Sequence, residues 1–269
     1  MKKIIAIIAL ILLLGIGYFI FSKKWQVDDS DIQQEESIEV SMTNRTGIEK
    51  TKENEQNVIS KETIEEKKDY NVLVIGNSIT LEKAGIGMAA SDEYHDYYFL
   101  VKNRLEKKYD TVNMNRISAI HWEENRIISS RTDWINENLP EETVSNLDLV
   151  IFQLGDNCVP TEQFEQSATE LINHVKKYSP KAKMLWVGMW FINEERLAML
   201  PQICEKNNVQ FIDISDLVVD KYKSHVGATV TSTTGEIMGI ETIEEAFHPN
   251  DEGMKMIANR IIEVLNLNK

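Results

Sequence analysis

Beyond residue 70 the chain carries four largely apolar runs, Val72–Ile75, Leu149–Leu154, Met184–Met189 and Val209–Ile214, and a weaker one at Thr111–Ile117. Each is short and nearly continuous, the pattern of a strand buried on both faces. Between them lie stretches whose apolar residues recur every three or four positions, as in Phe164–Val175 and Met254–Leu265, the mark of amphipathic helices. Strands alternating with helices predict right-handed crossovers and a parallel sheet covered on both sides. The expected fold class is α/β: a flavodoxin-like three-layer α/β/α domain on a parallel five-stranded sheet. Such sheets bind ligands at the carboxyl ends of their strands. Ser78, His121 and Asn157 each follow a predicted strand, so one rim would collect them.

The first 69 residues follow other patterns. Ile4–Phe21 is apolar and uncharged, between Lys2 and Lys3 on one side and Lys23 and Lys24 on the other. It is long enough to cross a bilayer, longer than the apolar part of a signal peptide, and followed by no Ala-x-Ala site. Residues 1–25 are therefore expected to be an uncleaved transmembrane anchor, with a secreted product if cleavage occurs. Lysines on both sides leave orientation almost open by charge. A short amino terminus before an apolar segment is how export usually begins, so the expected location is a single-pass cell-membrane protein with its globular part extracytoplasmic. Residues 26–69 are polar and acidic and contain no proline, a composition that cannot offset chain entropy by burial, and are expected to be a disordered linker. A solvated helix around Lys61–Lys68 is the local alternative. The remaining segment, 70–269, is one domain's worth of sequence.

Charge and cysteine content narrow the function. A net charge of −14 argues against a nucleic-acid or anionic-membrane partner for the soluble part. Cys158 and Cys204 make no disulfide framework, no Cys/His cluster has metal-ligand spacing, and no cofactor is called for.

The most informative stretch is Asn71–Thr80, NVLVIGNSIT, where an apolar run ends in Gly-Asn-Ser and a helix-like pattern follows. A tight turn after a buried strand lifts a serine hydroxyl out of the sheet, where a nucleophile is presented, although Ser78 could equally cap a helix. Two later segments, QLGDN at Gln153–Asn157 and EAFHPND at Glu245–Asp251, favour the functional reading.

With these blocks in this order the chain resembles the SGNH hydrolases, the GDSL-type esterase and lipase superfamily. Gly76–Ser78 corresponds to the first block, with Asn77 where aspartate is usual. Gly155, Asp156 and Asn157 match the third, with Cys158 replacing its last aspartate. Glu245–His248 matches the fifth, with glutamate for aspartate, and continues through Pro249 and Asn250 to the run Gly253–Arg260. The second block is the poorest match, its usual glycine replaced near Ser118 and Ala119.

The chemistry can be stated independently. A serine hydroxyl needs a base, here His248, and a carboxylate on the other imidazole nitrogen fixes the tautomer and stabilises the imidazolium. Glu245 is the expected acid; Glu244, a water or a backbone carbonyl are alternatives. The resemblance implies an oxyanion hole of the Ser78 N–H, the Asn157 amide and a backbone N–H near Ala119. Each residue has a plainer reading: His248 as a helix cap, Asn157 as a loop stabiliser, Cys158 as a packed thiol. His121 is the rival histidine.

Trp122, Trp190 and Phe191 follow predicted strands and, with His121, are candidate substrate-lining residues; sealing the core is the competing role. Val218–Glu244, rich in Ser, Thr and Gly, is a candidate lid. The expected function is a serine esterase forming an acyl-enzyme on Ser78 and acting on a small ester or an acylated, simplest acetylated, cell-surface glycan. The alternatives are an O-acetyltransferase with the same triad and a non-catalytic glycan-binding module.

Overall fold

A computed structural model describes residues 69–267. The expected anchor, 1–25, and all but the last residue of the expected linker, 26–69, lie outside the described residues. No helix among the described residues is long and apolar enough to cross a membrane.

The five apolar runs form the sheet: β1 Tyr70–Gly76, β2 Val112–Ser118, β3 Leu149–Gln153, β4 Lys183–Val187 and β5 Gln210–Ile212. Their order is β2-β1-β3-β4-β5 with every pair parallel. The chain leaves β1 in one direction to reach β2, then crosses back to β3, so the connections diverge beside β1 and open a crevice above the strand ends. The register makes that rim level. Gly76 faces Ser118 on one side and Gln153 on the other, and Gln153 faces Val187.

Side chains alternate between two buried layers, as a pleated strand requires. Val72, Val74 and Ile151 face helices α1 (Tyr97–Leu105) and, near the end of the chain, Asp251–Val264, through Val101, Leu105, Ile257 and Ile261. Leu73, Ile75, Phe152 and Trp186 face the other side. There they meet Trp134 and Ile135 of a helix at Ile128–Asn138, Leu171 and Ile172 of one at Phe164–Tyr178, and Leu200 and Ile203 of one at Glu194–Lys206. In chain order the helices are α1, α2 (Ile120–Glu124), α3 (Ile128–Asn138), α4 (Glu141–Val144), α5 (Phe164–Tyr178), α6 (Glu194–Lys206), α7 (Ile243–Ala246) and α8 (Asp251–Val264).

Two segments depart from the sequence pattern. After Ser78 there is no α-helix until Tyr97; the chain runs through turns and two 3-10 turns, at Lys83–Gly85 and Glu93–His95. Glycines at 85 and 87 each disfavour helix, and Gly87 is needed for close approach: a Cβ there would lie 2.1 Å from the Ile79 carbonyl oxygen. The stretch read as a candidate lid, 218–244, contains an antiparallel hairpin of β6 (Thr229–Thr231) and β7 (Ile237–Gly239), which the sequence pattern did not show, followed by α7.

Candidate active site

Ser78 lies two residues past β1 in a turn where the N–H groups of Thr80 and Leu81 both donate to the Asn77 carbonyl, at 2.9 and 3.0 Å. Asn77 is buried and works inward. Its Oδ1 accepts the Ile79 N–H at 3.1 Å and its Nδ2 donates to Asp156 at 2.6 Å. Anchored by its neighbour, Ser78 keeps a half-buried side chain, and its Oγ is 2.9 Å from His248 Nε2.

His248 follows α7. Its Nδ1 lies 3.0 and 3.1 Å from the carbonyl oxygens of Glu244 and Glu245. Carbonyls only accept, so Nδ1 carries the hydrogen and Nε2 presents its lone pair to the serine hydroxyl. Burial holds the imidazole below its usual pKa, with the two carbonyls and the Glu245 charge opposing the shift. The residue is pinned from both sides. Trp190 Nε1 donates to the Phe247 carbonyl at 2.7 Å, the Ser224 N–H to the His248 carbonyl at 2.9 Å, and the Asn250 N–H to the Tyr222 carbonyl at 2.9 Å. The Phe191 ring packs edge-on against the imidazole, with centroids 4.7 Å apart.

The third lobe is the loop after β3. Gly155 has φ of 125°, a conformation that favours glycine, and turns the chain so that Asp156 points in and Asn157 is exposed. Asp156 accepts from Asn77 Nδ2, Gln153 Nε2 (3.0 Å) and the N–H groups of Trp190 (2.8 Å) and Phe191 (2.7 Å). It thereby joins the loops after β1, β3 and β4. Glu123 of α2, also buried, accepts the Gly155 N–H and the Asn157 Nδ2, the latter at 2.9 Å. Two buried arginines hold the matching carbonyls: Arg131 those of Glu123 (3.1 Å) and Val159 (2.9 Å), and Arg196 those of Cys158 (2.7 Å) and Asp156 (3.1 Å). Burial raises the pKa of both carboxylates. For Glu123 burial and then the Asp156 charge push it up to about 7; for Asp156 its hydrogen bonds, led by that from Asn77, work against the rise.

Several sequence expectations need correction. The Glu245 carboxylate does not reach His248. It bonds the Glu241 N–H (2.6 Å) and Thr242 N–H (3.3 Å), completes a capping box on α7 and pairs with Lys83 Nζ at 2.7 Å. In a one-turn helix the carboxylate is drawn to the amino end, while the ring sits past the carboxyl end. The Ala119 N–H is not free for an oxyanion, because it donates to the Gly76 carbonyl at 2.7 Å and extends the β1–β2 ladder. Trp122 and Trp190 are fully buried and line no rim; Trp122 packs inward under Arg131, and Trp190 under the His248 turn. His121 is on the surface, its side chain 86% exposed and 3.8 Å from Glu124. Of the four candidate lining residues, Phe191 is the one whose ring packs on the His248 imidazole. Cys158 is buried and its thiol pKa is pushed well up, chiefly by burial, which leaves it no nucleophile.

Sequence reasoning missed Glu123, the inward role of Asp156, and Lys83. Asp156 lay inside a quoted block, flanking Asn157, and its charge beside a buried strand was the available signal. Glu123 and Lys83 carry no local pattern that separates them from surface charges.

No family model matches the chain, and no curated protein matches it in sequence. Among solved structures it is similar to a two-domain esterase active on acetylated mannans, crystallised with mannopentaose. That pair has 17% identity over 74% of this chain and 49% of the other, with a TM-score of 0.50, so the chain spans about half the length of that esterase. It is also similar to a protein from Parabacteroides merdae described as a GDSL-like lipase, at 16% identity over 75% of this chain and 98% of the other, again with a TM-score of 0.50. At such identities the likeness is one of fold: with its 2-1-3-4-5 parallel sheet, the chain has the fold of the SGNH hydrolases.

Proposed function

We propose that the domain is a serine ester hydrolase acting on an O-acyl, in the simplest case O-acetyl, group of a glycan. The observation that carries this is the 2.9 Å approach of Ser78 Oγ to the unprotonated nitrogen of a histidine held neutral by burial. In the proposed reaction Ser78 Oγ attacks the ester carbonyl as its proton passes to His248 Nε2. The imidazolium is stabilised by the carbonyls of Glu244 and Glu245 instead of a carboxylate, so the device is a dyad backed by peptide dipoles. The negative oxygen of the tetrahedral intermediate is met by the Ser78 N–H and Asn157 Nδ2. His248 returns the proton to the leaving alcohol, and water, activated by the same base, releases the acyl group from Ser78.

The similar esterase active on acetylated mannans supports a glycan ester as substrate. The same proposal puts the domain outside a cell membrane, tethered through Ile4–Phe21, on the support of that uncharged apolar run between lysine pairs. The test is labelling by a fluorophosphonate probe together with turnover of an aryl acetate. Wild type is expected to label at Ser78 and hydrolyse the ester, and Ser78→Ala to do neither while keeping its circular dichroism. Turnover retained by Ser78→Ala would sink the reading. Adding a sugar alcohol to the assay and measuring acetylated sugar separates hydrolysis from transfer.

A further inference from the structure

Glu123 is a buried carboxylate that the proposed chemistry leaves unused. It comes from α2, after β2, yet both of its oxygens are spent on the loop after β3: Oε1 takes the Gly155 N–H and Oε2 takes Asn157 Nδ2 at 2.9 Å. Asn157 itself is exposed on the rim, so its amide would be free to rotate without that bond. An ionised carboxylate is acceptor-only, and it dictates which end of the amide faces it. The nitrogen must point to Glu123, one of its hydrogens is consumed there, and the second remains for another acceptor.

We infer that Glu123 is a positioning residue for the oxyanion hole, orienting the Asn157 amide so that Nδ2 and not Oδ1 is presented at the reaction centre. The inference rests on the esterase reading. It also gives the site a second ionisation. Once protonated, Glu123 becomes a donor on one oxygen, and Asn157 can then satisfy it with Oδ1, moving its nitrogen away. The groups that face this carboxylate are Asp156 and Cys158 on the β3 loop and Asn77 on the Ser78 turn. Arg131 from α3 holds the Glu123 backbone carbonyl, and Arg196 from α6 holds those of Asp156 and Cys158. Among them burial and then the Asp156 charge push Glu123 up to about 7, while burial holds His248 below the usual imidazole range.

The experiment is steady-state kinetics on a soluble aryl acetate across pH for wild type, Glu123→Gln, Glu123→Asp and Asn157→Ala. A glutamine can accept from only one of the two donors and confronts the other with its own N–H. Its kcat is expected to fall about thirtyfold, with KM within about threefold. Aspartate, still acceptor-only, should recover part of that loss. The acid limb of wild-type kcat/KM should show an ionisation near 7 above that of His248, absent in both Glu123→Gln and Asn157→Ala, since Glu123 acts through Asn157. Asn157→Ala alters an exposed side chain and keeps the test available if the glutamine variant does not fold. Wild-type kcat in Glu123→Gln, or survival of the upper ionisation in Asn157→Ala, overturns the inference and leaves the esterase reading intact. A wild type that neither turns over ester nor labels at Ser78 overturns both.

Discussion

Lys83 Nζ meets the Glu245 carboxylate at 2.7 Å and the Gly239 carbonyl at the same distance. One ammonium thus ties the segment after Ser78 to the end of the β6–β7 hairpin and to the helix that precedes His248. Glu245, the nearest acidic residue before the base in sequence, serves this junction, and its pKa is held below the usual carboxylate range, first by Lys83.

Glu245→Gln is therefore expected to keep kcat within about fivefold of wild type, because the groups on Nδ1 are carbonyls. Glu245→Ala should lower stability by about 1 kcal/mol through loss of the cap, with a smaller kinetic effect than removing a triad acid. Thermal melts and aryl acetate kinetics on both variants check this. A loss of a hundredfold or more in Glu245→Gln at unchanged melting temperature would show that the carboxylate moves onto His248 during turnover.

Asn157→Ala is expected to lower kcat by about a hundredfold, and to cost about 1 kcal/mol of stability because Glu123 Oε2 loses its donor. Activity at the wild-type level would remove Asn157 from the oxyanion hole.

Asp156→Asn should behave in the opposite way. The substituted amide turns a nitrogen toward donors from three loops, leaving at least one buried N–H without an acceptor. The cost is about 3 kcal/mol, or about 10 °C in Tm for a domain of this size, measurable by calorimetry. A melt within 2 °C of wild type, on the order of the shift from one lost surface contact, would show that the junction relaxes around the change.

A chain beginning at Lys67 is expected to stay monodisperse without detergent and to match the full-length protein on soluble esters, because every group placed in the site lies beyond residue 70. Aggregation of the shortened chain, seen by size-exclusion chromatography, would move the domain boundary towards the amino terminus.

The sheet was legible because strands buried on both faces are written as continuous apolar runs, and β1 to β5 fall on the five runs within a few residues. The pairing of Ser78 with His248 was legible in the ordered blocks. Glu245 was misread although the relevant signal was present: Thr242 with Glu245 three residues on is the spacing of a capping box, and in so short a helix that demand outweighs the histidine. The hairpin escaped because three-residue strands are too short to show a period. Trp122 and Trp190 were placed by their position after strands, which fixes a level in the sheet but not the direction of a side chain. Glu123 needed the fold itself, since it and Asn157 are 34 residues apart in the chain.

The bonds on either side of His248 bear on how a substrate would be received. Its turn is fastened by the Trp190 indole, the Ser224 N–H and the Asn250 N–H. Amide protons there should exchange with solvent only in large-scale unfolding, not in local openings. The wall of the crevice that carries the base is then a fixed template. Differences between substrates would then have to be met by side chains outside this turn, because the base itself cannot shift to follow them.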